Sequence, residues 1–419
     1  MLFRSFQNVA AIILSLLAAQ TATAETLVIE HSSKVTLTSL TDGIYSRLPA
    51  HNKELALQQQ INANTALSNA QFADPLSIDL KHQNDALGSS DGLQEWESSL
   101  NMSLWLPGQK QQQSLLSDKL AAELPAYKNQ LRLDASAKVR QLIWDVALAE
   151  TAEKQSLQAW KTAQKLEQDV SARVKAGELA ATESLLANTN ALEMRSQYLV
   201  KKAELEHSLS SYRHITGETA LPINYDEVLT IVTQSHHSDM KVEQDHPSLM
   251  MLDQRINTLR TRQDLAQFEG AAGTNVSVGL RRERGSRDES FNNSFGVGVS
   301  FSLDDKVYRQ PAVAAASIAL TDVQVARQQL ERQLNISLFS ALHDLETKQK
   351  QLILIKEQND TTQRYFAMQQ RAFDLGEIDL VSLLRSQLLS NESRNRMQTS
   401  EIEIKYLIAL VNQALGIIL

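Results

Sequence analysis

The chain contains no cysteine, which excludes disulfides, thiolate metal sites, cysteine nucleophiles and a lipid-bearing N-terminal cysteine in one step. Turn formers are also scarce. Gly 14 and Pro 7 in 419 residues come to about 5%, against roughly 12% on average. A chain so short of punctuation spends most of its length in long, unbroken elements. Aromatics are only 5%, while Ala, Leu, Gln and Glu recur, a bias toward helix rather than a conventional compact core. No basic excess exists either: the net charge of −8 and pI near 5.7 argue against a nucleic-acid partner. Phosphate loops, HExxH helices and GxSxG elbows are missing. The chain reads as a non-enzyme with no cofactor.

What is present begins with a secretory signal over residues 1–24. Arg4 supplies the positive start, residues 9–19 are apolar except for Ser15, and Ala22-Thr23-Ala24 fits a cleavage site. Eleven apolar residues fall short of the ~20 that span a bilayer. No later segment approaches that length, so any membrane passage must use strands.

Two halves of the chain read alike. Gly177-Glu178-Leu179 matches Gly376-Glu377-Ile378 at a separation of 199, and Gly217 matches Gly416 at the same distance. Residues 103–106 (Ser-Leu-Trp-Leu) match 300–303 (Ser-Phe-Ser-Leu) at 197. Nearly constant offsets predict a tandem repeat, with units at 25–217 and 246–419 and a linker at 218–245. Each unit holds a first helix (50–70; 248–268), a β-hairpin (about 74–106; about 274–303) and a long helix (111–173; 313–373). A glycine turn and a return helix to Gly217 or Gly416 complete it. Sixty helical residues extend about 90 Å. In the second long helix Val323, Leu330, Leu334, Leu338, Leu342, Leu345 and Leu352 step by three, four or seven, as in coiled-coil packing. Pro125 is expected to interrupt and kink the first long helix; Pro311 lies near the start of the second, where proline is tolerated.

The strands carry the membrane reading. Phe295, Val297, Val299, Phe301 and Leu303 alternate with Ser294, Gly296, Gly298, Ser300 and Ser302, a strict period of two over ten residues. Leu100, Met102, Leu104 and Leu106 repeat it; weaker versions are Leu76, Ile78, Leu80 and Val276, Val278, Leu280. The length suits a tilted transmembrane strand. The pattern also fits a soluble sheet lying on a helix. Polar loops at 83–94 and 282–292, with Trp96 and Trp105 near opposite strand ends, favour the membrane. Four strands cannot close a barrel, since the smallest have about eight. Three copies would supply twelve.

This layout, with the run 296–303 (Gly-Val-Gly-Val-Ser-Phe-Ser-Leu) and the turn Leu375-Gly376-Glu377-Ile378, resembles the TolC family of outer-membrane efflux proteins. The resemblance implies a mainly α fold with a small β part: long antiparallel helical hairpins forming an α-barrel, plus four transmembrane strands per chain in a trimeric twelve-stranded β-barrel. It implies a homotrimer in outer-membrane lipid of a Gram-negative bacterium, with its helices in the periplasm. It also implies a periplasmic adaptor (membrane fusion protein) and an inner-membrane efflux pump as partners. The adaptor-docking tip would comprise Gly177, Glu178, Leu179, Gly376, Glu377 and Ile378, with Leu179 and Ile378 facing the adaptor. Where family members carry two aspartates that narrow the entrance, this chain has Ser382 and Arg385; with Asp374 and Asp379 they are the candidate constriction. The run Trp105-Leu-Pro-Gly-Gln-Lys110 looks most like the CzcC-like heavy-metal branch. A soluble periplasmic coiled-coil adaptor or scaffold is the alternative.

His236, His237 and His246 are expected in or beside a solvated linker rather than on a metal. The charged run 281–289 reads as a solvated loop tip, with lipopolysaccharide contact as its alternative.

Overall fold

The computed structural model describes residues 29–229, 240–269, 273–301 and 306–419. The expected signal, His236, His237, Ser302 and Leu303 lie outside these residues. Among the described residues seven α-helices dominate: α1 (Leu37–Arg47), α2 (Asn52–Asn69), α3 (Gln109–Lys175), α4 (Ala181–Thr216), α5 (Pro247–Ala266), α6 (Lys306–Asp374) and α7 (Leu380–Ala414). The strands are β1 (His31–Ser32), β2 (Ser77–Asn84), β3 (Gln94–Leu104), β4 (Leu221–Pro222), β5 (Thr274–Arg284) and β6 (Asn292–Phe301). The order helix, two strands, long helix, shorter helix occurs twice, as α2-β2-β3-α3-α4 and α5-β5-β6-α6-α7.

The chain divides into two compact units. One comprises Leu142–Asp226, Thr362–Thr399 and the described part of Met1–Leu40. Its core is Val170, Ala187, Phe373, Leu380 and Leu383, and the buried Trp144 packs edge-on against Tyr225 at 5.3 Å. Here β1 pairs in parallel with β4 through His31↔Leu221 and Ser32↔Pro222. That bridge is too short for any periodicity to announce.

The other unit comprises Thr41–Gln141, Glu227–Thr361 and Ser400–Leu419. Leu338, Leu342 and Leu345 are buried with Val242, Leu249, Val411 and Ala414, and Leu330 and Leu334 pack beside them. From Leu330 to Leu345 the three-and-four spacing read in the sequence is thus one inward-facing stripe of α6, whereas Val323 packs in a separate cluster with Ile256, Leu259 and Leu320. Proline 125 does not end α3, which runs continuously from Gln109 to Lys175. Losing one amide donor is a small deficit for a helix of 67 residues held by tertiary packing. Helix α1 was hidden by its Thr, Ser and Gly content. Thr36 and Ser39 close its start reciprocally, each side-chain oxygen accepting from the other's amide at 3.1 and 2.9 Å.

The run 105–110 has a local purpose. The Trp105 indole N–H and the Lys110 ammonium both donate to the Ala70 carbonyl, at 3.1 and 2.9 Å, satisfying an orphan acceptor at the end of α2. Trp105 therefore sits beyond β3, tied to a helix.

Two expectations for the linker are corrected. Val242 is buried, with its amide donating to Asn335 Oδ1 at 2.8 Å. His246 is 2% exposed rather than solvated. Its Nδ1 accepts from the Ser248 amide at 3.2 Å and so caps α5; the proton therefore resides on Nε2, which is buried without a partner. The ring occupies the space over Gly416, where a Cβ would meet His246 Cδ2 at 2.6 Å and φ is +82°. Only glycine fits there.

Burial lowers the His246 pKa from its usual value, against a smaller opposing pull from Asp245. Below about pH 6.5 the unfolded chain takes up a proton that the folded site resists. Stability should therefore be full above that pH and fall as pH drops toward the lowered folded pKa. His246→Asn keeps a good cap and removes the titration. Denaturation midpoints at about pH 7 and pH 5 should converge in this variant relative to wild type; an unchanged gap would assign the pH dependence elsewhere.

Candidate functional sites: a two-faced sheet and two helical turns

The sheet has strand order β2-β3-β5-β6, antiparallel throughout. Its register sorts side chains by face. One row crosses the strands as Ile78, Leu100, Val278, Val297, and the next as Leu80, Ser98, Leu280, Phe295. Met102, Val276 and Val299 form a third row, and Leu104, Thr274 and Phe301 a fourth. The opposite face reads Asp79, Ser99, Gly279, Gly296 and Ser77, Asn101, Ser277, Gly298. Alternation in four separate strands has become one apolar and one polar surface.

The apolar surface is bare. Leu80, Leu280, Phe295, Val297 and Phe301 are each more than 60% exposed. Every residue of β2 and β6, the two edge strands, is exposed. Both edges present unpaired backbone groups among the described residues, a combination that a water-soluble sheet avoids.

The second candidate site is the pair of helical turns. Gly177 (φ +80°) and Gly376 (φ +75°) adopt the left-handed conformation, and a Cβ at either would meet nothing within 4 Å. The glycines are therefore required for backbone angle, not for room. Hydrogen bonding is the same in both: Gly177 N donates to Val174 O and Glu178 N to Arg173 O, at 3.0 and 2.9 Å. Gly376 N donates to Phe373 O and Glu377 N to Ala372 O, at 3.0 and 2.8 Å.

Glu178 and Glu377 are exposed. Leu179 and Ile378 are half-buried against the Phe373 cluster, whereas Leu375 is 75% exposed. The freely accessible apolar side chain at the second turn is therefore Leu375, which lies within the expected turn but was not among its expected docking residues.

Arg173 was also missed. From α3 it donates to the Asp374 carbonyl at 3.0 Å, lies 5.3 Å over the Phe373 ring and approaches Glu178 at 3.5 Å. It satisfies the end of α6 from a neighbouring helix; its only sequence signal is a basic residue in a last turn. Asp379 caps α7 through Ser382, whose amide donates to Oδ1 at 2.9 Å. The hydrogen bonds from Ser382 hold its carboxyl below the usual aspartate range. Its counterpart Ala180 provides no side-chain cap. Asp374 and Arg385 are exposed. Asp374, Asp379 and Ser382 thus gather at one turn, and Arg385 follows one helical turn on.

No protein-family model matches the chain, and no curated protein matches it. Solved structures do match. CusC, whose structures concern transmembrane channel formation, superposes with TM-score 0.71 at 12% identity, covering 93% of this chain and 95% of that one. The outer membrane protein VceC of Vibrio cholerae gives 0.69 at 10%, covering 91% and 96%. The outer-membrane channel OprN gives 0.68 at 16%, covering 91% and 89%.

The chain shares the fold of these solved channels.

At such identities the likeness is one of fold, and it extends over nearly the whole of both chains. Among the described residues no helix is long and apolar enough to cross a membrane.

Proposed function

We propose that the chain is one subunit of a TolC-type outer-membrane efflux duct, a passive exit from periplasm to exterior. The observation that carries this reading is the four-stranded sheet, apolar on one face and open at both edges, on a chain with an outer-membrane channel fold. Open strand edges are not viable in lipid. Three copies joined β6 to β2 give twelve strands, each near the length a tilted membrane strand needs. The apolar face would meet lipid, and the polar face the pore. The twofold element order and the matched glycine turns support descent from a tandem repeat, with the signal at 1–24 directing export.

In this reading the turns at 174–179 and 373–378 dock a periplasmic adaptor that links the duct to an inner-membrane pump. Asp374, Asp379, Ser382 and Arg385 stand where the entrance narrows. The likeness of the run at 105–110 to the heavy-metal branch supports metal cations as the cargo of the proposed duct.

Detergent-solubilised protein should run as a trimer and conduct ions across planar bilayers. Recovery of a monomer from soluble periplasm without detergent would sink the duct and favour a scaffold. Docking has its own test. Leu375→Asp changes an exposed side chain and leaves the Phe373 cluster intact, so membrane trimers should persist while resistance to the exported compound falls at least about tenfold. Wild-type resistance in that variant would reject the turn as the docking surface. Gly376→Pro and Ile378→Asp should also abolish efflux, but they disturb the turn itself.

A further inference from the structure

On the apolar face of the sheet the rows change character toward the hairpin loops. Beyond Leu80, Ser98, Leu280 and Phe295 comes His82, Trp96, Arg282, Asn293, then Asn84, Gln94 and Arg284. Phe291 shares this face by alternation. Arg282 and Arg284 lie over its ring, 4.6 and 4.8 Å from the centroid. Leu80, His82, Trp96, Leu280, Arg282 and Asn293 line one shallow depression.

Charge pairing differs sharply between the faces. Arg281, on the polar face, pairs with Glu95 at 2.9 Å and Glu283 at 2.6 Å. Among the described residues neither Arg282 nor Arg284 has a carboxylate partner, and the buried Nε of Arg284 has no hydrogen-bond partner. The nearby Glu289 carboxylate is occupied by the Gly285 amide at 2.9 Å. His82 is held on the sheet: its Nδ1 lies 3.0 Å from the Glu95 carbonyl oxygen and its Nε2 3.1 Å from the Asn84 side-chain nitrogen, and its ring stacks on Trp96 at 3.9 Å. The loops behind are tied together by Arg287, which donates to the Ser90 carbonyl at 3.1 Å.

We propose that Arg282 and Arg284 bind the phosphate-bearing headgroup of an outer-leaflet glycolipid. The proposal rests on the membrane reading above, which puts this face in lipid and the hairpin loops at the exterior. Two guanidiniums held by one aromatic ring, unpaired, just above an apolar band, complement a headgroup whose acyl chains lie along that band. Planar forked donors suit phosphate oxygens, and water is too sparse there to satisfy them as well. Trp96 would pack at the same level, as interfacial aromatics do.

Full-length protein in non-ionic detergent can be titrated with diphosphoryl lipid A and with its dephosphorylated form, bound lipid being read by native mass spectrometry. Wild type should retain the diphosphoryl form. Arg282→Ser with Arg284→Ser should weaken it by about tenfold or more, and Arg281→Ser should leave it unchanged. Equal binding by the double variant, an equal loss in Arg281→Ser, or equal retention of the dephosphorylated lipid would each overturn the site. Fractionation separates the two claims. Wild type that is soluble without detergent defeats the membrane reading itself, whereas membrane-inserted wild type indifferent to these arginines defeats only this inference.

Discussion

Val297→Arg is expected to remove the protein from the outer-membrane fraction, while Gly296→Arg, one residue away, is expected to leave it there. Val297 is 63% exposed in the middle of the apolar face, in register with Val278 and, beyond it, Leu100 and Ile78. An arginine at the membrane midplane of a barrel costs about 2–4 kcal/mol, and in the proposed trimer that cost is incurred once per copy. Gly296 faces the other way, beside Gly279 and in the row of Ser99 and Asp79, with nothing within 4 Å of an added Cβ. In the proposed duct a cation there would enter the polar lumen. The readout is the amount of detergent-extracted, heat-resistant oligomer. Equal assembly of both variants would refute the lipid-facing assignment, and equal loss would show that the two faces are not distinguished.

Arg140→Ala is the second large effect. Arg140 is 2% exposed and holds Glu227 through two bonds, Nε to Oε1 at 2.8 Å and Nη2 to Oε2 at 2.7 Å. Its Nη1 donates to Gln413 Oε1 and, at 3.0 Å, to the Ile417 carbonyl. Asn412 also donates to Glu227 at 3.1 Å, Gln413 reaches the Leu133 carbonyl at 3.2 Å, and the Leu419 amide reaches Ser136 at 3.1 Å. One guanidinium thus ties α3 to the connection after β4 and to the last residues of the chain. Removing it leaves a buried carboxylate unpaired, which costs about 3–5 kcal/mol. Arg140→Met with Glu227→Leu should recover most of that, because no charge is then stranded. Denaturant unfolding and protease sensitivity of the C-terminal residues would measure both. A loss in Arg140→Ala below about 1 kcal/mol would place the pair among weak surface bridges.

Much of the architecture was legible in the sequence because it is written locally. The scarcity of glycine and proline announces long helices. The alternation from Phe295 to Phe301 announces a strand, and the paired Gly-Glu-Leu and Gly-Glu-Ile announce two turns of one design. Each signal comes from neighbours a few residues apart, where periodicity and turn chemistry act directly. The turn residues were found this way, Leu375 among them, although neither its exposure nor the part played by Arg173 was: an exposed leucine and a basic last turn look ordinary until a second helix lies beside them.

By itself, then, the sequence determined the twice-repeated elements, their order and the alternating character of each strand, though not α1 or the β1–β4 bridge, since these repeated elements depend on residues that touch along the chain. Tertiary structure decided the rest. It set β3 against β5, aligned four alternations into one apolar surface, buried His246 against Gly416, and left Arg282 and Arg284 without a carboxylate partner among the described residues while Arg281 found two. Contacts such as Arg140 to Gln413 join residues 273 positions apart. Such pairs leave no periodic trace, because their energy depends on which surfaces meet after the helices and strands have formed.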